Sequence, residues 1–371
     1  MTYDIAIVGG GIAGASLAAA IGGAARVLLL EVEDQPGYHA TGRSAAFWSE
    51  TYGGPGVQPL TTASGAILRD PPAELGGVSF LKPRGELFIA TDEDAAALDA
   101  FLVEFAESGV VLDRVDPRAM LPGLRPEWTQ AVYEPTCQDI DVAALHGAYL
   151  ALARRTGTTL ETRAGLIGAI RIGDAWRLET SAGTFEAGVL VNAAGAWADP
   201  VAAMAGVKPL GIAPLRRTMV QLRVDPPMAS DAPLVRDGRD RFYFKPEAGG
   251  RVWLSPHDEV PDTPRDVAPE DIDVATAIDR FERAVDWRIE AVERRWAGLR
   301  SFAPDRLPVY GFDPSAEGFF WFAGQGGFGI QTAPAAAALA AWLLVGGERP
   351  DWIAGLDAAV YAPGRLLISP P

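Results

Sequence analysis

The chain has 371 residues, 49% of them apolar, which is ample for one large or two ordinary domains around a buried core. Its formal charge of −16 sets an acidic surface against nucleic acid and anionic lipid, and no dense run of Lys and Arg offsets it. The single cysteine, Cys137, excludes an internal disulfide and a multi-thiolate metal site, and His39, His146 and His257 are too widely spaced for a local metal motif, so a metal-free cytoplasmic protein is expected.

The first apolar stretch, Ile5 to Ala25, follows Asp4 instead of a basic segment and is broken by glycines at 9, 10, 11, 14, 22 and 23, so it reads neither as a secretion leader nor as a membrane span. It parses as a strand (Tyr3 to Val8), a turn, a helix (Ile12 to Ile21) and a second strand (Val27 to Leu30), the strands near-continuously apolar as in a parallel sheet. Gly9, Gly11 and Gly14 have the G-x-G-x-x-G spacing: the first turns the chain, the second lets backbone approach a pyrophosphate, and the third lets helix and strand pack closely. Ile12 and Ala13 open the helix, where free N–H groups and the macrodipole favour phosphate. Glu31 closes the second strand, placed to accept from an adenosine ribose and to repel a 2′-phosphate. The unit therefore predicts the ADP half of NAD or FAD, and not NADP.

Further on, ELFIAT (86–91), AVYEPT (131–136), RTMVQLRV (217–224), RFYFKP (241–246) and RVWLS (251–255) read as strands. DEDAAALDAFLVEFAESG (92–109) and DIDVATAIDRFERAV (271–285) read as helices. VLVNAAGAWAD is a buried strand ending in small residues, Ala194 and Gly195 ahead of Trp197, past which a cofactor can run closely.

Near the end, a strand from Phe319 to Ala323 enters a second glycine-rich turn, GQGGFGIQTAP, and Thr332 and Pro334 mark a helix entry. The helix from Ala335 is too short to cross a bilayer and reads as buried. No strand and acid follow to complete a second nucleotide unit. The backbone N–H groups of Gly326, Gly327, Phe328, Gly329 and Ile330 suit a different anion, the N1–C2=O edge of a reduced flavin. The two turns then grip opposite ends of one FAD.

The segments IVGGGIAGASLA, QPGYHATGRSAAFWSETYG, DIDVAALHGAYL, VLVNAAGAWAD, RRWAGLRSF and AEGFFWFAGQGGFGIQT, in that order and over essentially the whole chain, resemble the FAD-dependent D-amino-acid oxidase superfamily. They are most similar to its bacterial D-amino-acid dehydrogenases of the D-arginine dehydrogenase type. The resemblance implies an α/β fold: a Rossmann-like, glutathione-reductase-like FAD-binding domain in 1–78, 138–208 and 295–371, with a mainly antiparallel α+β substrate domain in 79–137 and 209–294. It implies non-covalent FAD, since Cys137 is not where relatives that attach flavin covalently carry their cysteine. The implied reaction is hydride transfer from the α-carbon of a D-amino acid to flavin N5, giving an imino acid that hydrolyses to a 2-oxo acid and ammonia.

Carried onto this chain, the resemblance makes Arg300 and Arg217 the clamp for the substrate carboxylate, with Arg216 as the alternative to Arg217. Tyr52 and Tyr243 line the same pocket, and Glu86 faces the distal cation of a D-arginine or D-lysine side chain. Phe47 stands where the arginine-type enzymes carry histidine, so Phe47 and Trp48 make that wall more apolar and move preference toward hydrophobic or smaller D-amino acids. Arg43, Ser44 and Ala45 pass close to the flavin. Gln331 either reaches the substrate or ring or only supports the helix entry, and His39 is a structural hydrogen-bonder. The same scaffold serves glycine, N-methyl amino acids and 2-hydroxy acids. Other classes are a flavin domain acting on modified tRNA nucleosides, which acidic charge disfavours, and a flavin-bound protein without turnover. Expected partners are a small amino acid and either oxygen or a quinone-type electron acceptor, with no nucleic acid and no integral membrane segment.

Overall fold

In the computed structural model, which describes residues 2–366, the short apolar runs at the N-terminus pair as the interior of a sheet. Strand Thr2–Val8 lies parallel to Val27–Leu30 on one side and to Gly183–Asn192 on the other, and Thr159–Glu161 extends the sheet past Val27–Leu30. Both faces of these strands are covered, which is why their sequences are apolar without alternation. Gly183–Asn192 serves two neighbours along one edge. Its first half pairs antiparallel with Ala175–Thr180, and its last residues, Leu190 to Asn192, pair parallel with Phe319–Ala323. Leu166–Ile172 and Val309–Phe312 complete an eight-stranded sheet.

Helices Ile12–Ile21, Val142–Arg155 and Ala333–Val345 pack on one face of this sheet. The last is apolar all round, as a helix surrounded by protein requires. The expected bounds of the first helix and of Val27–Leu30 coincide with those observed. Among the described residues no helix is long and apolar enough to cross a membrane.

A second sheet of ten strands runs from Gln325–Gly326 through Arg288–Phe302, Ala213–Asp225, Arg251–Ser255, Tyr243–Glu247, Leu234–Asp237, Glu86–Thr91 and Trp128–Glu134 to Asp113–Arg114, and the tenth, Val260–Pro261, pairs with Ala213–Asp225 off this path. It is antiparallel except where Leu234–Asp237 meets Glu86–Thr91. Helix Asp271–Ala284 lays Val274, Ala277 and Phe281 on it, with Asp271 and Asp273 in its first turn and Arg283 in its last, as the helix dipole favours. The helix expected over 92–109 is shorter, Ala95–Glu104, because Asp92–Asp94 forms a separate 3₁₀ turn before it and residues 105–109 form turns after it. The expected division at 294/295 falls inside Arg288–Phe302, which pairs with Ala213–Asp225 from end to end, so residues 295–302 lie in the second sheet.

The second glycine-rich turn links the two sheets. The chain leaves the first at Ala323 and pairs Gln325 and Gly326 with Phe302 and Ser301 of the second. A small third sheet, Phe47–Trp48 with Gln138–Ile140 and Leu81–Pro83, lies beside this junction.

Candidate active site

One long cavity starts at the carboxyl ends of the parallel strands, at Val8, Leu30 and Ala193, where a ligand is expected in an open α/β sheet, and continues to the second sheet. At its first end Gly9, Gly11, Ile12 and Ala13 border the cavity at the N-terminus of the first helix. Gly9 has φ +109°, open to glycine alone without strain. Gly14 does not border the cavity: a Cβ there would collide with the carbonyl oxygen of Gly9, so its role is close packing of helix on turn. The N–H of Ile12 donates to Thr41 Oγ1 at 3.0 Å, whereas those of Gly11 and Ala13 meet no protein acceptor among the described residues. Unspent amides at a helix N-terminus are the donor set for a phosphate.

Glu31 is buried, and its carboxylate accepts from the N–H groups of Gly10 and Glu33, both at 2.9 Å. Each oxygen keeps a lone pair for a ribose hydroxyl. His146 supports the turn from behind: its Nε2–H donates to Gly10 O at 2.9 Å, and burial holds its pKa below the usual histidine range, keeping it neutral. Ala164 to Leu166 wall this end. Thr41 and His146 lie in two of the segments that carry the resemblance but have no role assigned from sequence, and Ala164 to Leu166 lie outside them all; each reaches the turn from a distant part of the chain, a contact that no local pattern records.

Along the cavity Ser44, Ala45, Ala194, Gly195 and Trp197 form its sides, and Arg43 borders it with its charge committed elsewhere. Arg43 Nη1 donates to Ala297 O and Nη2 to Asp266, at 3.1 and 2.6 Å. His39 bonds Glu33 at 2.9 Å and packs against Trp197. At the far end Gly326, Gly327, Gly329 and Ile330 border the cavity, and the N–H groups of Gly327, Gly329 and Ile330 meet no protein acceptor among the described residues. This loop precedes helix Ala333–Val345 and so presents amides to an anion. The Phe328 side chain does not border the cavity; it packs against Tyr52, Phe302 and Val57 and anchors the loop. Two sets of unspent amides at opposite ends of one cavity, with a carboxylate beside the first, fit an extended FAD.

The arginines are placed by strand register. Arg217 lies opposite Gly298, and Arg300 lies opposite Leu215, so Arg217 and Arg300 are diagonal neighbours on one face and Arg216 points to the other. Arg216 is buried among Glu270, Asp273 and Asp262, at 2.6, 2.9 and 3.4 Å, and takes no part in the cavity. Arg217 Nε donates to Asp258 O at 2.8 Å, while its buried Nη2 has no acceptor in hydrogen-bonding geometry. Arg300 Nη1 donates to Tyr52 Oη at 2.7 Å and Nη2 to Glu259 at 3.0 Å, and its buried Nε has no acceptor. Buried donors without partners are costly, and here both belong to guanidinium groups that border a cavity.

Phe47, Tyr52 and Tyr243 wall this end, their rings 5.1 Å (Phe47 to Tyr52) and 6.2 Å (Phe47 to Tyr243) apart. Tyr243 Oη donates to Met219 Sδ at 3.2 Å, and burial pushes its phenol up to about 12. Trp48 departs from expectation. Adjacent strand residues face opposite ways, so its ring turns into the core, where Nε1 donates to Thr61 O at 2.9 Å.

Glu86 also departs from expectation. It is fully buried, does not border the cavity, and lies 2.5 Å from Arg236 Nη2, so its charge serves an internal pair and faces no ligand. Burial pushes its pKa up to about 7. Gln331 borders the cavity but both ends of its amide are spent. Its oxygen accepts from Ser49 N at 3.2 Å, and its nitrogen donates to Tyr52 O and Thr61 Oγ1 at 3.0 and 2.9 Å, so it fixes the Tyr52 segment.

Residues 4–343 match the FAD dependent oxidoreductase (DAO) family. The chain is 27% identical to the hydrogen cyanide synthase subunit HcnC of Pseudomonas aeruginosa, over 98% of this chain and 97% of that protein. It is 26% identical to a glycine oxidase of Geobacillus kaustophilus, over 92% and 93% of the two chains. The crystal structure of glycine oxidase from Geobacillus kaustophilus superposes with a TM-score of 0.83, at 25% identity over 97% of this chain and 98% of that one. An L-proline dehydrogenase from P. horikoshii gives a TM-score of 0.84 at 22% identity over 99% and 98%, a likeness of fold. With a Rossmann-like sheet, a cavity fitted to FAD and a family match across most of its length, the chain belongs to the DAO family and is an FAD-dependent oxidoreductase.

Proposed function

We propose that the chain oxidises the α-carbon–nitrogen bond of a small α-amino acid, glycine or a short apolar D-amino acid, to an imino acid that water converts to a 2-oxo acid and ammonia. The observation that carries this reading is the pair of guanidinium groups, Arg217 and Arg300, on one strand face, each with a buried N–H that has no hydrogen-bond acceptor among the described residues, at the same cavity end as the second glycine loop. A carboxylate is the anion whose geometry matches such forks. FAD, when bound, supplies the two-electron oxidation, accepting hydride from the α-carbon.

The chain's own residues position and enclose. Arg300 and Arg217 fix the carboxylate, and with it the direction of the α-hydrogen, which is where orientation supplies rate. Tyr52 Oη, held by Arg300, adds a hydroxyl to the pocket, and Gln331 holds the Tyr52 backbone in place. The rings of Phe47, Tyr52 and Tyr243 give this end of the cavity an apolar wall, which suits a short apolar side chain better than a charged one. With Glu86 committed to Arg236, nothing in this reading favours a cationic substrate. The similarity to glycine oxidases and to HcnC supports a small substrate.

The test is anaerobic mixing of the FAD-loaded protein with glycine, D-alanine, D-proline, D-arginine, sarcosine and D-lactate, followed at the flavin absorbance. Fast bleaching by glycine or D-alanine, with D-arginine slow, is expected. Bleaching by lactate alone, or by no member of the panel, refutes the proposal. Repeating the reaction in air and assaying peroxide distinguishes oxygen from another electron acceptor.

A further inference from the structure

Two guanidinium groups that clamp one carboxylate must converge on it, and the point where Arg300 and Arg217 converge already holds one. Glu259 Oε1 accepts from Arg300 Nη2 at 3.0 Å and lies 3.6 Å from Arg217 Nη2. The same oxygen accepts from Arg306 Nη2 at 2.8 Å. Arg306 is 54% exposed and lies over the Phe302 ring, on the outer side of the pair.

The backbone carrying Glu259 is pinned on both sides. Pro256 O accepts from Arg280 Nη1 at 2.6 Å, and His257 Nδ1 donates to Asp240 O at 2.6 Å. The Asp258 carboxylate takes the N–H and hydroxyl of Thr218 at 2.7 and 2.9 Å, and Val260 and Pro261 pair with Arg216 and Leu215. The Glu259 side chain, by contrast, is 32% exposed and, among the described residues, is held by its contacts to arginines alone. Its rotamer can change while the backbone stays fixed.

We infer that Glu259 is a specificity-determining residue: an internal carboxylate that holds the anion position between Arg300 and Arg217, and that the substrate carboxylate displaces toward Arg306. The inference rests on the proposed reading of the two arginines as a carboxylate clamp. Binding is then an exchange of one carboxylate for another. The guanidinium groups stay neutralised and ordered before substrate arrives, and the affinity for any small acid is reduced by the internal competitor. The displaced Glu259 remains beside the pocket on Arg306, where it repels a second carboxylate, so monocarboxylic substrates are favoured over dicarboxylic ones.

The test is calorimetric titration of acetate and of malonate, at fixed ionic strength, into the FAD-loaded wild type, Glu259→Gln, Glu259→Ala and Arg300→Ala. In both Glu259 variants the acetate Kd should fall about fivefold, the weight of one part-exposed ion pair, and the malonate Kd should fall further. A purely structural salt bridge would lower the melting temperature without tightening either acid. Acetate binding unchanged or weaker in both Glu259 variants, alongside weakened binding in Arg300→Ala, overturns the role of Glu259 and leaves the clamp standing. Acetate binding unaffected by Arg300→Ala overturns the clamp itself.

Discussion

Replacing Glu86 by leucine separates an internal structural acid from one that selects substrate. Glu86 is fully buried, and its carboxylate lies 2.5 Å from Arg236 Nη2. Arg236 is itself nearly inaccessible, with Asp240 at 3.5 Å and with buried Glu134, opposite Glu86 in the sheet, also acting on its charge. Its guanidinium carbon is 4.9 Å from the Tyr52 ring centroid and 5.9 Å from that of Phe47. Removing one member of such a pair leaves a buried cation, at a cost of about 3–5 kcal/mol. With an unfolding entropy of about 2.1 cal/mol/K per residue over 371 residues, a two-state transition loses about 4–6 °C in Tm. The assay is unfolding of the FAD-loaded protein at pH 8, where Glu86 is ionised, for Glu86→Leu, Arg236→Met and the double variant. The double variant should lose far less than the two single losses together, because two apolar residues replace the pair. The ratio of activity on D-arginine to activity on D-alanine should not change. Unaltered stability together with a selective loss on cationic amino acids would falsify this placement of Glu86.

The same residue gives a pH dependence with a definite sign. Its folded pKa, about 7, lies above the ordinary 4.5, so between those values the folded protein holds a proton that the unfolded chain has released. The stability advantage of wild type over Glu86→Gln should therefore be greatest below about pH 4.5 and decline as pH rises to about 7, read by urea unfolding across the range; an advantage that grows with pH contradicts it. Arg300→Ala should lower kcat/KM by about 2–5 kcal/mol of transition-state stabilisation, since a buried charge-assisted contact is lost, and unchanged kinetics would remove Arg300 from the site. Gly14→Ala should weaken FAD binding by more than about tenfold, because the new methyl collides with the Gly9 carbonyl and displaces the turn; full flavin content after dialysis would argue against it.

Much of the scaffold was legible in the sequence, because the signals are local. Apolar runs without alternation gave Val27–Leu30 and Phe319–Ala323 as buried strands, and glycine spacing gave both turns, since only glycine fits where Gly9 adopts φ +109° and where a Cβ at Gly14 would meet backbone. Glu31, ending its strand, was found the same way, and the structure sets it beside the first turn. Tertiary structure alone decided which of Arg216 and Arg217, identical in type and adjacent in sequence, borders the cavity. Their faces follow from register against a strand that begins at Arg288, and a shift of one residue would exchange them. It also gave Glu86 to Arg236, Gln331 to Tyr52 and Thr61, and Glu259 to Arg300. A side chain's chemistry states what it can pair with, but the partner is chosen by whichever distant strand the fold brings within about 3 Å, and no local pattern records that choice.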